Sequence, residues 1–204
     1  MTRRRRAPAH AGDVRALAFD PGYAQLGWAA VDVCTACPGV DPLALGLVVT
    51  RPDREPGWVE TSGTKGETAR ASERRRVEEL ATQVHLLVDR FAPRVLLAEG
   101  YSPVRDSAVT GRMAMTWTVL FAEALHRGIP FVDVSPMGLK LALCGAKTAT
   151  KHDVAEALYQ RHHVGDLRAL LDAGGVQWGK REHPFDALAA AHVLAGEVRA
   201  SLGL

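Results

Sequence analysis

The chain has little of several features that would place it in a special class of protein. Its 204 residues include only three cysteines and 6% aromatic residues, and the formal net charge is +2. So few cysteines exclude a disulfide-rich secreted scaffold, and a nearly balanced charge gives no overall sign of a nucleic-acid-binding protein. Charge or glycine interrupts the apolar runs well before the roughly 18 residues that a membrane helix needs. What is present is an ordinary globular composition, with 47% hydrophobic and 24% charged residues.

The length fits one domain that can bury a core of its own. Residues 13–204 are expected to form this domain, after a basic and flexible N-terminal tail at residues 1–12. No apolar segment of signal-peptide type follows the arginines at positions 3–6, so a cytoplasmic location is expected.

Two of the cysteines, Cys34 and Cys37, form a single C-x-x-C pair beside Pro38 and Gly39 in an expected loop. Without a second pair or a well-spaced histidine, this is a weak signal for zinc or redox chemistry. Incidental cysteines in a hairpin insertion are the alternative. The three cysteines, including Cys144, therefore do not imply a disulfide bond.

Hydrophobic periodicity predicts an α/β fold. Three early apolar stretches joined by turns indicate an antiparallel meander, and helical periods alternate with the later strands. The predicted strands cover residues 14–19, 26–33, 43–50, 94–98 and 130–134, and the predicted helices cover 67–91, 107–126, 136–143, 154–162 and 185–200, with one short turn of helix at 167–173. Because the later strands need crossover connections, we expect one mixed sheet of about five strands, the first three antiparallel, flanked by helices.

Side chains that can bind a metal ion stand at two strand ends and at the start of the last helix. Asp20 and Glu99 each follow an apolar run, and His183 and Asp186 lie three residues apart. A carboxylate at the end of a buried strand is costly unless a cation meets it, so their convergence would indicate a divalent-metal site. Taken singly, each residue has a plainer interpretation: a turn former, a salt-bridge partner, a helix cap and an acid in a first helical turn.

Several short motifs follow one another in an order shared with a known family. They are Phe19-Asp20-Pro21-Gly22 with Gly27, Leu97-Ala98-Glu99, Val134-Ser135-Pro136 with Lys140, Leu143-Cys144-Gly145, Thr150-Lys151, and the segment from His183 to Ala189. From about Val14 onward the chain resembles the RuvC family of Holliday-junction resolvases, within the ribonuclease H-like superfamily. Compared with compact family members, residues 51–70 and 166–181 look like loop insertions, and His183 replaces an aspartate found in many members.

The resemblance implies a metal-dependent, structure-selective endodeoxyribonuclease that resolves four-way DNA junctions by paired phosphodiester hydrolysis. Asp20 would bridge two Mg²⁺ ions, with Glu99 on one ion and Asp186 on the other. His183 would bind the second ion or position the attacking water. Because imidazole suits a somewhat softer ion, Mn²⁺ is expected to substitute for Mg²⁺. The expected products carry 5′-phosphate and 3′-hydroxyl ends.

Basic and aromatic residues near these acids are expected to contact DNA. Lys140, Lys147 and Lys151 would bind phosphate, and Lys151 matches a basic residue at the same helix start in the family. Tyr101 would stack on bases or wedge between them at the junction centre, with a core or lid position as the alternative. The basic residues at 180–181 also flank the acids, which fits an anionic substrate.

The predicted helix at 107–126 carries more large apolar side chains than one buried face needs. These are Met113, Met115, Trp117, Leu120 and Phe121. In the resembled family the equivalent helix lies at a twofold interface, so a homodimer whose two sites cut opposing strands is expected. A helix buried inside its own domain is the alternative.

Three other functions are compatible with parts of the pattern. One is another ribonuclease H-like nuclease that acts on RNA or on other branched DNA, and a second is a junction-binding protein without catalysis. The third is a phosphate-binding relative of the sugar kinases and actin-like ATPases. That last function would require a second Asp-Gly phosphate loop and a glycine-rich adenosine site, and neither is evident in the sequence.

Overall fold

Five strands form one mixed sheet in the order β3-β2-β1-β4-β5, in a computed structural model that describes residues 13–36, 39–50, 69–100 and 107–203. The elements are β1 (Val14–Asp20), β2 (Gln25–Val33), β3 (Val40–Val49), α1 (Ala69–Phe91), β4 (Val95–Glu99), α2 (Ser107–Arg127), β5 (Phe131–Val134), α3 (Pro136–Cys144), α4 (Lys151–Tyr159), α5 (Val164–Ala173), a 3₁₀ helix (Trp178–Lys180) and α6 (Glu182–Ser201). The first three strands are antiparallel, and the β1–β4 and β4–β5 pairs are parallel. The predicted fold class is confirmed.

Helices cover both faces of the sheet, and the side chains of β1 alternate between the two resulting cores. Ala16 and Ala18 pack with residues of α4, α5 and α6, whereas Leu17 and Phe19 pack with residues of α1 and α2. Successive side chains of a strand point to opposite faces, so a strand buried on both faces is apolar throughout. This explains why β1 is a continuous apolar run in the sequence rather than an alternating one.

Small side chains allow α6 to lie close to the sheet. Five of its buried residues are alanines: Ala187, Ala189, Ala190, Ala191 and Ala195. The closest approach is at Gly27 of β2, where an added Cβ would lie 2.2 Å from the carbonyl carbon of His183. Because Gly27 has no side chain, the first turn of α6 can lie directly against β2.

We expect the substitution Gly27→Ala to destabilise the protein by about 3 kcal/mol or to prevent folding, because backbone atoms of α6 cannot yield as a flexible side chain can. Gly196→Ala is the matched control, since a Cβ at Gly196 in α6 meets nothing within 4 Å. The control should stabilise the protein by about 0.5–1 kcal/mol, because alanine is the better helix former. Urea unfolding measures both changes. Equal effects of the two substitutions would contradict this account of Gly27.

The structure differs from the predicted elements mainly in its later helices. Segment 166–181, where we expected a loop with one helical turn, contains most of α5 and the 3₁₀ helix. Leu167 and Leu171 lie one turn apart and are fully buried, so packing stabilises a helix that local sequence signals mark weakly. α4 begins three residues earlier than predicted because Thr150 and Asp153 form a complete capping box. The tail at 1–12 and residues 51–68 of the other expected insertion lie outside the described residues.

The cysteines require a correction. Cys34 is disulfide-bonded, although the sequence did not imply a disulfide, whereas Cys144 is a free, half-buried thiol. The backbone N–H of Cys34 donates to the carbonyl oxygen of Gly39 over 3.0 Å. Sequence spacing alone did not reveal the disulfide. Cys37 lies outside the described residues.

Candidate active site

Asp20 and Glu99 are the last residues of two neighbouring parallel strands, so they lie at the same end of the sheet. Phe19 of β1 pairs with Ala98 of β4 in a parallel register, so the next residue of each strand is an acid at its carboxyl end. The carboxyl ends of parallel strands are where open α/β sheets bind their ligands. Strand register therefore places the acids at positions 20 and 99 at the ends of neighbouring strands.

Gly27 allows His183 to approach Asp20 closely. Asp20 pairs with Gly27 across β1 and β2, and Gly27 lies against the backbone of His183. The result is a hydrogen bond between Nδ1 of His183 and Oδ2 of Asp20, with a length of 2.5 Å. This bond raises the pKa of His183. Nε2 of His183 makes no hydrogen bond to another residue that the structure describes.

Asp186 completes the acidic group from the next turn of α6, three residues after His183. Burial, followed by repulsion from Asp20, raises the pKa of Asp186 to about 6. Burial and the negative charges of Asp20 and Asp186 raise the pKa of Glu99 to about 8. The charge of Asp20 thus acts on both Glu99 and Asp186, as expected for carboxyl groups near one another in a partly buried region.

Two lysines partly neutralise this region. Nζ of Lys151, the first residue of α4, forms an ion pair with Glu182 and lies 3.7 Å from Oδ2 of Asp186. Lys140 of α3 lowers the pKa of both Glu99 and Asp186, although burial outweighs it. α3 begins after its N-cap residue Ser135, whose Oγ accepts the N–H of Gly138 over 3.1 Å. Two lysines and one histidine thus stand beside four carboxylates.

The remaining predicted contact residues are placed differently. Lys147 lies on the exposed turn between α3 and α4 and forms no ion pair with any acid among the described residues. Tyr101 lies outside the described residues, so its predicted stacking role stays a prediction. Sequence reasoning missed Glu182, the partner of Lys151. The signal was present, because Glu182 and Asp186 are four residues apart and so share one face of α6.

The residues at this edge fit a divalent metal ion in their chemistry. Carboxylate oxygens and an imidazole nitrogen suit Mg²⁺ or Mn²⁺, and an added cation would relieve the repulsion that raises the pKa of Glu99. Among residues 13–36, 39–50, 69–100 and 107–203, no three histidine, cysteine or acidic side chains are arranged closely enough to hold one ion. Oδ2 of Asp20 is instead engaged by His183. Ion binding would therefore require the side chains to close further.

Comparison with known proteins gives one consistent relationship. No family model matches the chain. A crossover junction endodeoxyribonuclease RuvC of Prochlorococcus marinus is 26% identical over 145 residues, which cover 71% of this chain and 81% of the relative. The RuvC of Pseudarthrobacter chlorophenolicus is 30% identical over 144 residues, which cover 70% of this chain and 65% of the relative.

Solved structures agree on the fold. Thermus thermophilus RuvC in complex with a Holliday junction substrate is similar with a TM-score of 0.66 and 24% sequence identity, covering 92% of this chain and 96% of that one. At this identity the similarity establishes the fold alone. The sequence relatives and the shared fold together confirm the resemblance that the motifs indicated.

Proposed function

We propose that this chain is a crossover junction endodeoxyribonuclease of the RuvC family, because RuvC proteins that are 26% and 30% identical to it align over about 70% of its length. It cuts four-way DNA junctions by paired hydrolysis of phosphodiester bonds. The observation that carries the proposal is the group of Asp20, Glu99, His183 and Asp186 at one edge of the sheet, with the pKa of Glu99 raised to about 8. A cluster of acids held in such repulsion is typical of a site that binds cations.

In the proposed reaction, a water oxygen bonds to phosphorus while the bond from phosphorus to the 3′ oxygen breaks. This leaves a 5′-phosphate and a 3′-hydroxyl. Asp20 holds the imidazole of His183 by accepting Nδ1–H. When the ring is deprotonated, it presents a lone pair at Nε2, which can accept a hydrogen bond from the attacking water or bind an ion. Asp20 is thus both a ligand and a positioning group.

The metal ions are part of the same proposal. Asp20, Glu99 and Asp186 would hold two Mg²⁺ ions, with Mn²⁺ as an expected substitute. When bound, the ions supply positive charge that stabilises the attacking and leaving oxygens. The acids must lose their protons to act as ligands, so metal affinity should rise as the pH increases through about 8, the pKa of Glu99 in the metal-free protein.

Lys140 and Lys151 would contact the phosphates that flank the scissile bond. Both interact electrostatically with the acids and stand beside them. Lys151 would have to exchange Glu182 for a phosphate oxygen, and its exposure of 56% permits that exchange. Lys147, on its exposed turn, is proposed as a more peripheral phosphate contact, and Tyr101 as the stacking residue at the junction centre.

The test is a cleavage assay with labelled four-way junction, flap, duplex and RNA–DNA hybrid substrates in Mg²⁺ and in Mn²⁺. Symmetric paired nicks in the junction, faster than in any other substrate, are expected. Faster cutting of the RNA strand or of flaps would assign the chain to another nuclease class within the same fold. Tight junction binding without cleavage in either metal would instead support a non-catalytic junction-binding protein.

The protein is further proposed to act as a homodimer through α2. Thr116, Leu120 and Ala124 form its buried face, whereas Phe121 and Leu125 on the opposite side are 45% and 73% exposed. An exposed apolar strip of this kind is costly in water unless another surface covers it. A second copy is the proposed occupant, because a twofold pair of sites can cut both continuous strands of a junction.

Leu125→Glu is expected to convert the dimer into a monomer and to uncouple the two nicks, because a charge would be buried at the interface. Size-exclusion chromatography with light scattering measures the mass. Val164→Glu, on an exposed residue of α5, is the control and should leave the mass unchanged. A wild-type protein that is monomeric at micromolar concentration would contradict the proposal.

The location of the protein remains a prediction. No helix in the described part of the chain is long and apolar enough to cross a membrane. The cytoplasmic location that the sequence suggested is kept as a proposal that rests on the sequence. The division into a tail at residues 1–12 and a nuclease domain at 13–204 is likewise proposed.

A further inference from the structure

The 3₁₀ helix before α6 carries an indole held between two arginines. The guanidinium carbon of Arg168 lies 4.8 Å from the ring centroid of Trp178, and that of Arg181 lies 4.7 Å from it. Trp178 is itself fixed, since it stacks on Tyr159 at 6.3 Å and meets the ring of Phe185 edge-on at 6.1 Å. We call Arg168, Trp178, Lys180 and Arg181 the arginine–tryptophan cluster.

The cluster holds positive charge that no described acid neutralises. Arg168 and Arg181 form no ion pair with an acidic residue in the described part of the chain. Arg181 does donate a hydrogen bond from Nη1 to the carbonyl oxygen of Trp178 over 2.8 Å. The π face of an indole attracts each guanidinium only weakly, and two cations on one ring repel each other. The arrangement therefore suits an external anion.

The nearest acids in the sequence do not fill this role. Glu182 follows Arg181 directly but is paired with Lys151. Asp172 lies one helical turn after Arg168 on α5, yet it forms no ion pair within the described residues. Lys180, which is exposed, adds a third cation directly before Arg181 in the chain. The positive charge of this surface is thus not compensated by any acid in the described part of the chain.

Its position relates the cluster to the candidate active site. Arg181 immediately precedes α6, so at about 1.5 Å of rise per residue it lies within about 8 Å, along the helix axis, of Asp186. α5, which carries Arg168, packs against β3 at one edge of the sheet. α3, which carries Lys140, follows β5 at the other edge. Cations therefore flank the acids on both sides.

We propose that the arginine–tryptophan cluster is a phosphate-binding surface that holds the DNA backbone on the β3 side of the catalytic site. The inference rests on the proposed nuclease function and adds a second contact region to it. Trp178 orders the two guanidiniums in advance, so less side-chain freedom is lost when a phosphate binds. The contact is to the backbone and positions the DNA without reading its sequence.

The experiment measures junction affinity at several salt concentrations for the full chain and for the variants Arg168→Gln, Arg181→Gln and the double variant. Each single change should reduce the slope of log affinity against log salt by about one, and the double change by about two. The double variant should also bind about tenfold more weakly at 0.1 M salt. Fluorescence anisotropy with a labelled four-way junction gives both quantities.

Arg90→Gln is the matched control. The guanidinium of Arg90 also lies over an aromatic ring, 5.1 Å from the centroid of Phe91, but at the end of α1 that precedes the start of β4. This control should leave the salt slope unchanged. A drop in melting temperature with no change of slope in the cluster variants would show a purely structural stack and would overturn the inference.

Failure of the inference can be told apart from failure of the proposed function. A wild-type protein that cuts junctions, with cluster variants of unaltered slope, overturns only the phosphate-binding surface. A wild-type protein that neither binds nor cuts a junction overturns both. A reduced slope together with paired nicking by the wild type supports both.

Discussion

Replacing Asp20 with asparagine is expected to abolish junction cleavage while leaving junction binding intact. Asp20 is at the centre of the candidate site, because it hydrogen-bonds His183 and its charge raises the pKa of both Glu99 and Asp186. Asparagine has the same shape but lacks the charge that a shared metal ligand must supply. We expect the cleavage rate to fall by roughly a thousandfold or more, since a lost catalytic group usually costs that much.

Single-turnover cleavage of a labelled junction measures this effect, and anisotropy at the same protein concentration measures binding. Asp41→Asn, an equivalent change at an exposed position of β3, is the control and should retain the wild-type rate. Thermal unfolding should show that the Asp20 variant stays folded, because asparagine can still accept the Nδ1–H of His183 and one of several repelling charges is gone. A variant that keeps more than a tenth of the wild-type rate would remove Asp20 from the catalytic group.

The part of the site that follows from strand pattern was accessible from sequence. The apolar runs that end in Asp20 and Glu99 identify two buried strands, and parallel neighbours must present their last residues at one edge. The start of the last helix near His183 was also recognisable, although α6 begins at Glu182 rather than after Pro184. Local periodicity therefore located the strand ends and the helix start that carry these residues.

The sequence could not specify which side chains form hydrogen bonds or ion pairs with one another at this end of the sheet. The hydrogen bond from His183 to Asp20 depends on the close approach of α6 to Gly27, a contact between residues 156 positions apart in the chain. The ion pair of Lys151 with Glu182 likewise needs the packing of α4 on α6. Such contacts result from tertiary geometry, and a periodic pattern carries no information about them.

The same limit explains the helical part of residues 166–181. Glycines at positions 174 and 175 favoured a loop, but buried Leu167 and Leu171 stabilise α5 against the sheet. At Gly174 an added Cβ would lie 2.0 Å from the carbonyl oxygen of Leu45, so the chain passes close to β3 there. The glycine signal was genuine, but it marks a close approach and the end of a helix.

Glu99→Gln should make the metal-free protein more stable at pH 8, even though the residue is proposed as a catalytic ligand. Burial and the neighbouring acids raise the pKa of Glu99 from 4.5 to about 8 in the folded protein. Between these two values the folded state keeps a proton that the unfolded state has released. The contribution of Glu99 to the free energy of unfolding is therefore fully present below pH 4.5. It is lost as the pH rises through about 8, by up to about 1.4 kcal/mol per pH unit.

Glutamine resembles the protonated acid and carries no charge to repel Asp20 or Asp186, so the variant should lose much of this pH dependence. At pH 8 we expect its melting temperature to exceed that of the wild type by about 5 °C. Glu197→Gln, at an exposed position of α6, is the control and should match the wild type. Addition of Mn²⁺ should reverse the order, because a ligand that binds only the folded state stabilises the wild type more than a variant lacking one carboxylate. A variant that is less stable than the wild type at pH 8 without metal would mean that Glu99 is not held in repulsion, and would remove the electrostatic reason for a cation at this site.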